Sequence, residues 1–200
     1  SFVKGISEAC LENECNLVGG ETSIQPDVVS SGLYILTSSI AGIVSRSSII
    51  DGTNIHESDI VLAVASNGLH TNGYTLVRLL MEKMPQIKLD RINGETFIEQ
   101  IMKPHTPYYK SIKSLFPDRR VHGMAHITGG GIRENLNRIL PPDLDAVIDL
   151  RRYEILPIFK LLRKVGNISD EEMLRVFNLG VGMVLVVDPS QEQYIRTHIE

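Results

Sequence analysis

Two histidines stand beside glycine-rich segments that join a predicted strand to a predicted helix. His70 lies in Ser66–Tyr74, and His126 opens the sequence His-Ile-Thr-Gly-Gly-Gly. An imidazole exchanges a proton near neutral pH, and the free N–H groups at the start of a helix favour an anion such as phosphate. Both segments are therefore candidate sites for acid–base chemistry on a phosphorylated ligand. On spacing alone, an ordinary strand–turn–helix junction also explains the first segment and a flexible connector the second.

Two further glycine-rich segments carry weaker signals. Phe177–Met183 runs from a helix into a strand, which is the reverse of the dinucleotide-binding fingerprint, so it supports only a close backbone approach. In Val18–Thr22, the carboxylate of Glu21 could ligate a hard cation such as Mg²⁺. The chain has no Gly-Lys-Ser/Thr phosphate loop, and its other histidines lack the spacing of a structural zinc site.

The elements that position these segments alternate between apolar runs and amphipathic stretches. Periodicity predicts helices that begin at an Asn72 cap and at a Thr106 cap. The predicted strands cover residues 32–46, 59–65, 121–127, 146–150 and 179–187. This alternation predicts an α/β (α+β) class, with a mixed sheet flanked by helices. The regular alternation of predicted strands and helices begins near Ile50. This change predicts one domain over residues 1–49 and a second over residues 50–200.

Composition excludes several function classes. The 200 residues carry 20 Lys and Arg against 24 Asp and Glu, a net charge of −4, which argues against a general nucleic-acid binder. No apolar run approaches the length of a membrane span, so no membrane partner is expected. The two cysteines, Cys10 and Cys15, cannot build a disulfide framework and favour a reducing cytoplasm. The chain begins with Ser1 rather than Met, and we expect it to be a piece of a larger protein.

Several motifs in order along nearly the whole chain carry a resemblance to one family. The chain resembles the phosphoribosylformylglycinamidine cyclo-ligases, also called aminoimidazole ribonucleotide synthetases. The motifs that carry the resemblance are Leu17–Thr22, Asn67–Tyr74, Pro104-His105 with Tyr108, Gly123–Gly131 with Glu134-Asn135, Pro157–Phe159 and Phe177–Met183.

The resemblance implies ATP-dependent closure of the imidazole ring of formylglycinamidine ribonucleotide in purine biosynthesis, in a cytoplasmic homodimer. It implies Mg²⁺ with ATP as co-substrate, and a small phosphoribosyl substrate. It also implies that residues 1–49 end an N-terminal, ferredoxin-like domain that binds ATP, and that residues 50–200 form most of a synthetase domain. The implied site residues are His70 and His126 for catalysis; Gly68, Asn72, Gly73, Thr128, Gly129, Gly130, Gly131, Asn178 and Gly180 for substrate; and Gly19, Gly20, Glu21 and Thr22 for ATP, with Glu21 on Mg²⁺.

The chain departs from the family pattern in ways that keep other functions open. The family's N-terminal ATP segment, with its Asp-Gly-Val-Gly-type loop, does not occur, so we expect no tight ATP binding by this chain alone. An acidic residue of the family is lost near Gln25, and Thr106 replaces a basic one. The alternatives are another ATP-using relative (selenophosphate synthetase, thiamine-monophosphate kinase or a hydrogenase-maturation protein) or a non-catalytic binding module.

Overall fold

The structure, a computed structural model, describes residues 2–117 and 120–199. Residue 1 of the first predicted domain and residue 200 of the second lie outside the described residues. The chain separates into two compact units, one up to Ser47 and one from Ser48 onwards.

In the described residues, the first unit contains the helix α1 (Phe2–Glu12). A 3₁₀ turn, Arg46–Ser48, spans the boundary between the two units. The strand predicted for residues 32–46 is wrong, because residues 32–45 form neither helix nor strand and a 3₁₀ turn begins at Arg46. Strands are stabilised by the ladder bonds of a neighbour, and the described residues provide none here. Its apolar side chains point into solvent instead, with Ile40 85% exposed.

The second unit is built on a three-stranded sheet of order β1–β5–β4, and a short hairpin lies apart from it. The α/β class predicted from the sequence is confirmed. Where a mixed sheet was expected, both described pairings of the main sheet are antiparallel, because β5 runs opposite to each neighbour. The strands are β1 (Ile60–Ala65), β2 (Arg91–Ile92), β3 (Glu95–Thr96), β4 (Val121–His126) and β5 (Val181–Val187).

The central strand β5 is buried on both faces, which explains its continuous apolar sequence. Val184 and Val186 belong to the core on one face, while Leu185 and Val187 belong to the core on the other. Successive side chains of a strand point to opposite sides, so each face needs its own apolar set. Further residues pack on the two faces, Leu136 on the first and Ile112, Leu115 and Ile195 on the second.

Helices surround the sheet and form a third core beside it, in which the rings of Phe159 and Phe177 lie 5.5 Å apart. The strand predicted for residues 146–150 is wrong, since residues 146–149 form no regular structure and a short 3₁₀ turn begins at Leu150. The helices of this unit are α2 (Tyr74–Lys83), α3 (Phe97–Ile101), α4 (Tyr109–Ile112), α5 (Gly131–Asn137), α6 (Pro157–Gly166), α7 (Asp170–Val176) and α8 (Glu192–Ile199).

Two predicted helix caps are also wrong. Helix α2 is capped by Gly73 with a φ of 84°, not by Asn72, and no side chain bonds to its first turn. Gly73 takes this left-handed conformation where the ring of Phe177 leaves no room for a Cβ. Helix α4 begins after Tyr108 rather than at Thr106, so residues 103–108 form a loop without regular structure.

The sheet places the ends of β1 and β4 beside the beginning of β5. Ala65 pairs with Val181, and His126 pairs with Met183. The loops that follow β1 and β4 therefore emerge at the same edge as the loop that leads into β5.

Candidate active site

Three histidines from separate segments meet at this edge of the sheet. His70 follows β1, His105 lies in the loop before α4, and His126 ends β4. One ring nitrogen from each lies within 4.8 Å of the others. The rings of His70 and His105 are 3.9 Å apart between centroids, and those of His105 and His126 are 5.1 Å apart. The two predicted catalytic histidines are thus brought together, with a third between them.

His70 is the most constrained member of the cluster. It is only 5% exposed and has a left-handed φ of 60°, a conformation that costs free energy in a residue other than glycine. Neither of its ring nitrogens has a hydrogen-bond partner in the described part of the chain. Burial, together with His105 and His126, lowers the pKa of His70 to about 4. The ring is therefore neutral at pH 7.

His105 is fixed by the backbone next to it. Its Nδ1 donates a hydrogen bond to the carbonyl oxygen of Thr106 at 2.8 Å, since a carbonyl can only accept. This bond places the proton of the neutral ring on Nδ1 and leaves a lone pair on Nε2. That Nε2 lies 3.1 Å from Nε2 of His126, which donates to it.

His126 is the most exposed of the three imidazoles and lies at the mouth of the cluster. Burial and the neighbouring His105 lower the pKa of His126 below its usual range. A neutral, accessible imidazole of this kind can accept a proton from a bound ligand at pH 7.

Tyr108 and Gly182 form the floor beneath the histidines. The Tyr108 hydroxyl donates to the carbonyl oxygen of Ala65 at 2.8 Å, and burial raises its pKa to about 12. A Cβ placed on Gly182 would lie 1.8 Å from this hydroxyl and 2.7 Å from Cε1 of His70. The sheet can approach the cluster this closely only because residue 182 has no side chain.

Asn178 ties the His70 loop to the loop before β5. Its side-chain oxygen accepts from the Ser66 hydroxyl at 3.0 Å and from the Gly180 N–H at 2.9 Å. Its amide nitrogen donates to the carbonyl oxygen of Gly68 at 2.8 Å. These three hydrogen bonds satisfy the polar atoms of a side chain that is only 4% exposed. They join the predicted residues Gly68, Asn178 and Gly180 in one hydrogen-bonded group.

The triple-glycine segment is held from behind by the buried side chain of Asn135. Its amide donates to the carbonyl oxygens of Gly131 at 2.7 Å and Gly129 at 3.2 Å, and its oxygen accepts from the Thr128 hydroxyl at 3.0 Å. Within the segment, the Gly130 N–H already donates to the carbonyl oxygen of Arg175 at 2.8 Å. That N–H is therefore occupied by the protein rather than aimed at a ligand.

The remaining predicted substrate residues adjoin this segment. A Cβ on Gly129 would lie 3.7 Å from the side-chain oxygen of Asn72, so the His70 loop and the triple-glycine segment face each other. The predicted nucleotide residues belong to the first unit, where Gly19, Gly20, Glu21 and Thr22 form an exposed stretch without regular structure.

The sequence interpretation gave His105 no chemical role, although the motif Pro104-His105 was noted. A usable signal was its setting between Pro104 and Pro107, which restrict the backbone on both sides and hold a side chain in place. Among the described residues, no helix has the length and apolar character needed to cross a bilayer.

The fold and the histidine-lined edge define an α+β domain in which three imidazoles meet between glycine-rich loops. Residues 56–197 match the family of AIR synthase related proteins, C-terminal domain, and the chain belongs to that family.

Curated relatives extend this likeness over nearly the whole chain. It is 43% identical over 190 residues to a phosphoribosylformylglycinamidine cyclo-ligase of Bacillus cereus strain AH187, covering 94% of this chain and 55% of the relative. It is 44% identical over 189 residues to the enzyme of that name from Bacillus cytotoxicus, covering 93% of this chain and 54% of that relative. A third relative of the same name, from Bacillus mycoides strain KBAB4, is 40% identical over 203 residues, covering 100% and 59%. The chain therefore spans between half and two thirds of the length of these relatives.

Proposed function

We propose that this chain is the catalytic part of a phosphoribosylformylglycinamidine cyclo-ligase, which closes the ring of formylglycinamidine ribonucleotide to aminoimidazole ribonucleotide. The observation that carries the proposal is the convergence of His70 and His126 at one edge of the sheet, between two glycine-rich loops. Relatives that share 40–44% of the sequence bear this enzyme name.

The reaction couples ring closure to ATP in two steps. The formyl amide oxygen attacks the γ-phosphorus of ATP, forming an O–P bond as ADP leaves. The amidine nitrogen then attacks the activated carbon, the C–O bond breaks with release of phosphate, and one proton is lost from the nitrogen. The chain must therefore accept a proton and stabilise negative charge on oxygen.

The two histidines suit different parts of this task. His126 is accessible and neutral at pH 7, so it accepts the proton from the attacking nitrogen. His70 is too poor a base for that role with a pKa of about 4, and instead donates an N–H hydrogen bond to oxygen. His105 holds Nε2 of His126 at 3.1 Å and orients it.

In the full-length protein, ATP and Mg²⁺ would bind through the N-terminal domain of which the first unit is a part. Glu21 offers one hard carboxylate oxygen in an exposed stretch, and Mg²⁺ is held in such sites by one or two carboxylates together with phosphates. The donor set thus fits a Mg²⁺ ion that arrives with ATP, which would neutralise phosphoryl charge. The adjacent Gly19 and Gly20 let the backbone approach the phosphates closely.

The same proposal assigns a role to each part of the chain and a cellular location to the enzyme. Residues 1–49 would belong to an N-terminal domain that binds ATP and forms a homodimer, and residues 50–200 to the synthetase domain. The exposed apolar side chains of the first unit, such as Ile40, support its packing against other protein. The enzyme would act in the cytoplasm on small phosphorylated metabolites.

The decisive experiment uses the full-length protein that contains this chain. We expect His126→Ala to lower kcat by roughly 10²–10⁴-fold, as removal of a positioned proton acceptor does. His56→Ala is the matched control, since His56 is exposed and lies outside the cluster. Unchanged kcat and KM in both His126→Ala and His70→Ala would contradict the assignment.

Offering alternative nucleophiles separates this function from the related ones. The full-length protein should turn over ATP with formylglycinamidine ribonucleotide and not with selenide or thiamine phosphate. ATP turnover with either of the latter two alone would replace the proposal with one of the related activities.

A further inference from the structure

We propose that His70, His105 and His126 together form a binding site for a single divalent transition-metal ion of the zinc type. The site differs in chemistry from the Mg²⁺ expected with ATP, and the argument for it does not rest on the proposed reaction. An ion bound through His126 would occupy the imidazole that the proposed reaction uses as proton acceptor, so metal binding and that proton transfer exclude each other.

The spacing of the ring nitrogens is close to what one metal ion requires. Tetrahedral Zn²⁺ holds imidazole nitrogens at about 2.0–2.1 Å, which places any two of them about 3.3–3.4 Å apart. Nε2 of His105 and Nε2 of His126 are 3.1 Å apart, and the set as a whole lies within 4.8 Å. The widest separation must therefore shorten by about 1.5 Å at most, which ring rotation of an unbonded side chain can supply.

His105 already has the supporting bond that a ligating histidine needs. Metal-bound imidazoles almost always donate their other N–H to a carbonyl or carboxylate, which fixes the tautomer and the ring orientation. The bond from Nδ1 of His105 to the carbonyl oxygen of Thr106, at 2.8 Å, does this and aims the Nε2 lone pair into the cluster.

His70 supplies an independent reason for a ligand. Its side chain is more than nine-tenths buried, and both ring nitrogens lack a partner among the described residues. A buried polar group without a partner is costly, on the order of 1–3 kcal/mol. A metal ion bound by one nitrogen would satisfy it at the point towards which His105 and His126 also converge.

The donor set selects the class of ion. Three neutral imidazoles favour Zn²⁺, Co²⁺, Ni²⁺ or Cu²⁺, whereas Mg²⁺ and Ca²⁺ require oxygen ligands. Three protein ligands leave a fourth position for water or an anion, as in sites where the metal remains open to a substrate. The exposed ring of His126 provides the route by which an ion enters.

Cobalt titration of the metal-stripped chain tests the site directly, because tetrahedral Co²⁺ absorbs visible light far more strongly than the hydrated octahedral ion. We expect an intense band that saturates at one Co²⁺ per chain and disappears when Zn²⁺ is added. His126→Ala removes an exposed ligand without opening the core, and should weaken binding by at least roughly 100-fold, since even residues that only support a ligand cost 10–100-fold. His105→Ala should do the same.

His56→Ala serves as the control and should bind Co²⁺ as the unchanged chain does, and far-ultraviolet circular dichroism verifies that each variant is folded. The proposal is overturned if the unchanged chain gives no intense band, or if both His105→Ala and His126→Ala retain it. The readout contains no substrate, so its failure leaves the proposed reaction untouched, and loss of the reaction leaves this site untouched.

Discussion

Replacing Gly182 with alanine should destabilise the second unit, because the added methyl group would overlap with atoms of the histidine cluster. The new Cβ would lie 1.8 Å from the Tyr108 hydroxyl and 2.7 Å from Cε1 of His70, distances that no pair of non-bonded atoms tolerates. Gly182 is the extra residue of a bulge opposite β1, between the pairs Val64–Met183 and Ala65–Val181, and on its other side its carbonyl oxygen accepts the Ile127 N–H at 2.9 Å. Moving this backbone would cost that hydrogen bond. Tyr108 must move instead.

The magnitude follows from what Tyr108 loses by moving. Overpacking a filled core costs about 1–3 kcal/mol. Losing the hydrogen bond to the carbonyl oxygen of Ala65 adds about 1 kcal/mol. Alanine is better than glycine inside a regular element by about 0.5–1 kcal/mol, which offsets part of the loss. We therefore expect Gly182→Ala to lower the free energy of unfolding by about 1–3.5 kcal/mol.

Equilibrium unfolding in urea gives this number, followed by far-ultraviolet circular dichroism because the chain has no tryptophan. Gly129→Ala is the matched control, since its Cβ would have only an ordinary contact at 3.7 Å. That control should change stability by no more than about 0.5 kcal/mol.

A double-mutant cycle identifies the cause. If the clash is with Tyr108, then Tyr108→Ala should relieve it, and the double variant should be more stable than the sum of the single changes predicts by at least about 1 kcal/mol. Additive effects, or a cost for Gly182→Ala no greater than for Gly129→Ala, would show that Tyr108 does not lie against the sheet at this point.

Three further changes test other parts of the site by the same unfolding measurement. Asn178→Ala should cost about 1–3 kcal/mol, because the buried Gly180 N–H loses its acceptor, while the Ser66 hydroxyl and the Gly68 carbonyl oxygen keep their bond to each other at 3.2 Å. An unchanged stability would show that Asn178 does not join these loops. Gly131→Ala should cost at least about 2 kcal/mol, because its φ is 64° and the Cβ would lie 1.9 Å from a backbone oxygen, so an unchanged midpoint would contradict the loop geometry. Burial raises the pKa of Tyr108 to about 12, so between pH 10 and 12 the unfolded chain loses the hydroxyl proton while the folded chain keeps it. The free energy of unfolding should therefore fall more steeply over this range than it does in Tyr108→Phe. Equal slopes would contradict the burial of the hydroxyl.

The parts of the fold that sequence reasoning predicted correctly are those in which a residue's surroundings are encoded locally. Strand β5 was expected over residues 179–187 and is found at Val181–Val187, because a central strand buried on both faces needs an unbroken apolar run. Helix α6, expected from Pro157, begins there because proline suits the first turn of a helix.

The failures come from interactions between distant residues. Residues 32–46 have the composition of a strand but no partner strand in the described residues, and pairing is a tertiary property. Asn72 is a good cap by type, but the ring of Phe177 favours glycine at the next position and the side chain of Asn72 turns towards Gly129.

The candidate site was predictable in its two histidines and not in the third. His70 and His126 adjoin glycines and strands, so their place at the end of a sheet follows from the pattern. His105 reaches them from a loop before α4 that has no periodicity, and only the folded chain places it 3.1 Å from His126.

The order of strands in the sheet has a consequence for synthesis on the ribosome. Of the three strands in the main sheet, β5 is made last, yet it is the strand that both others pair with. A nascent chain that has not reached Val181 holds β1 and β4 with their inner edges unpaired, and such edges readily associate with other chains. Truncations before this residue should therefore be insoluble rather than partly folded.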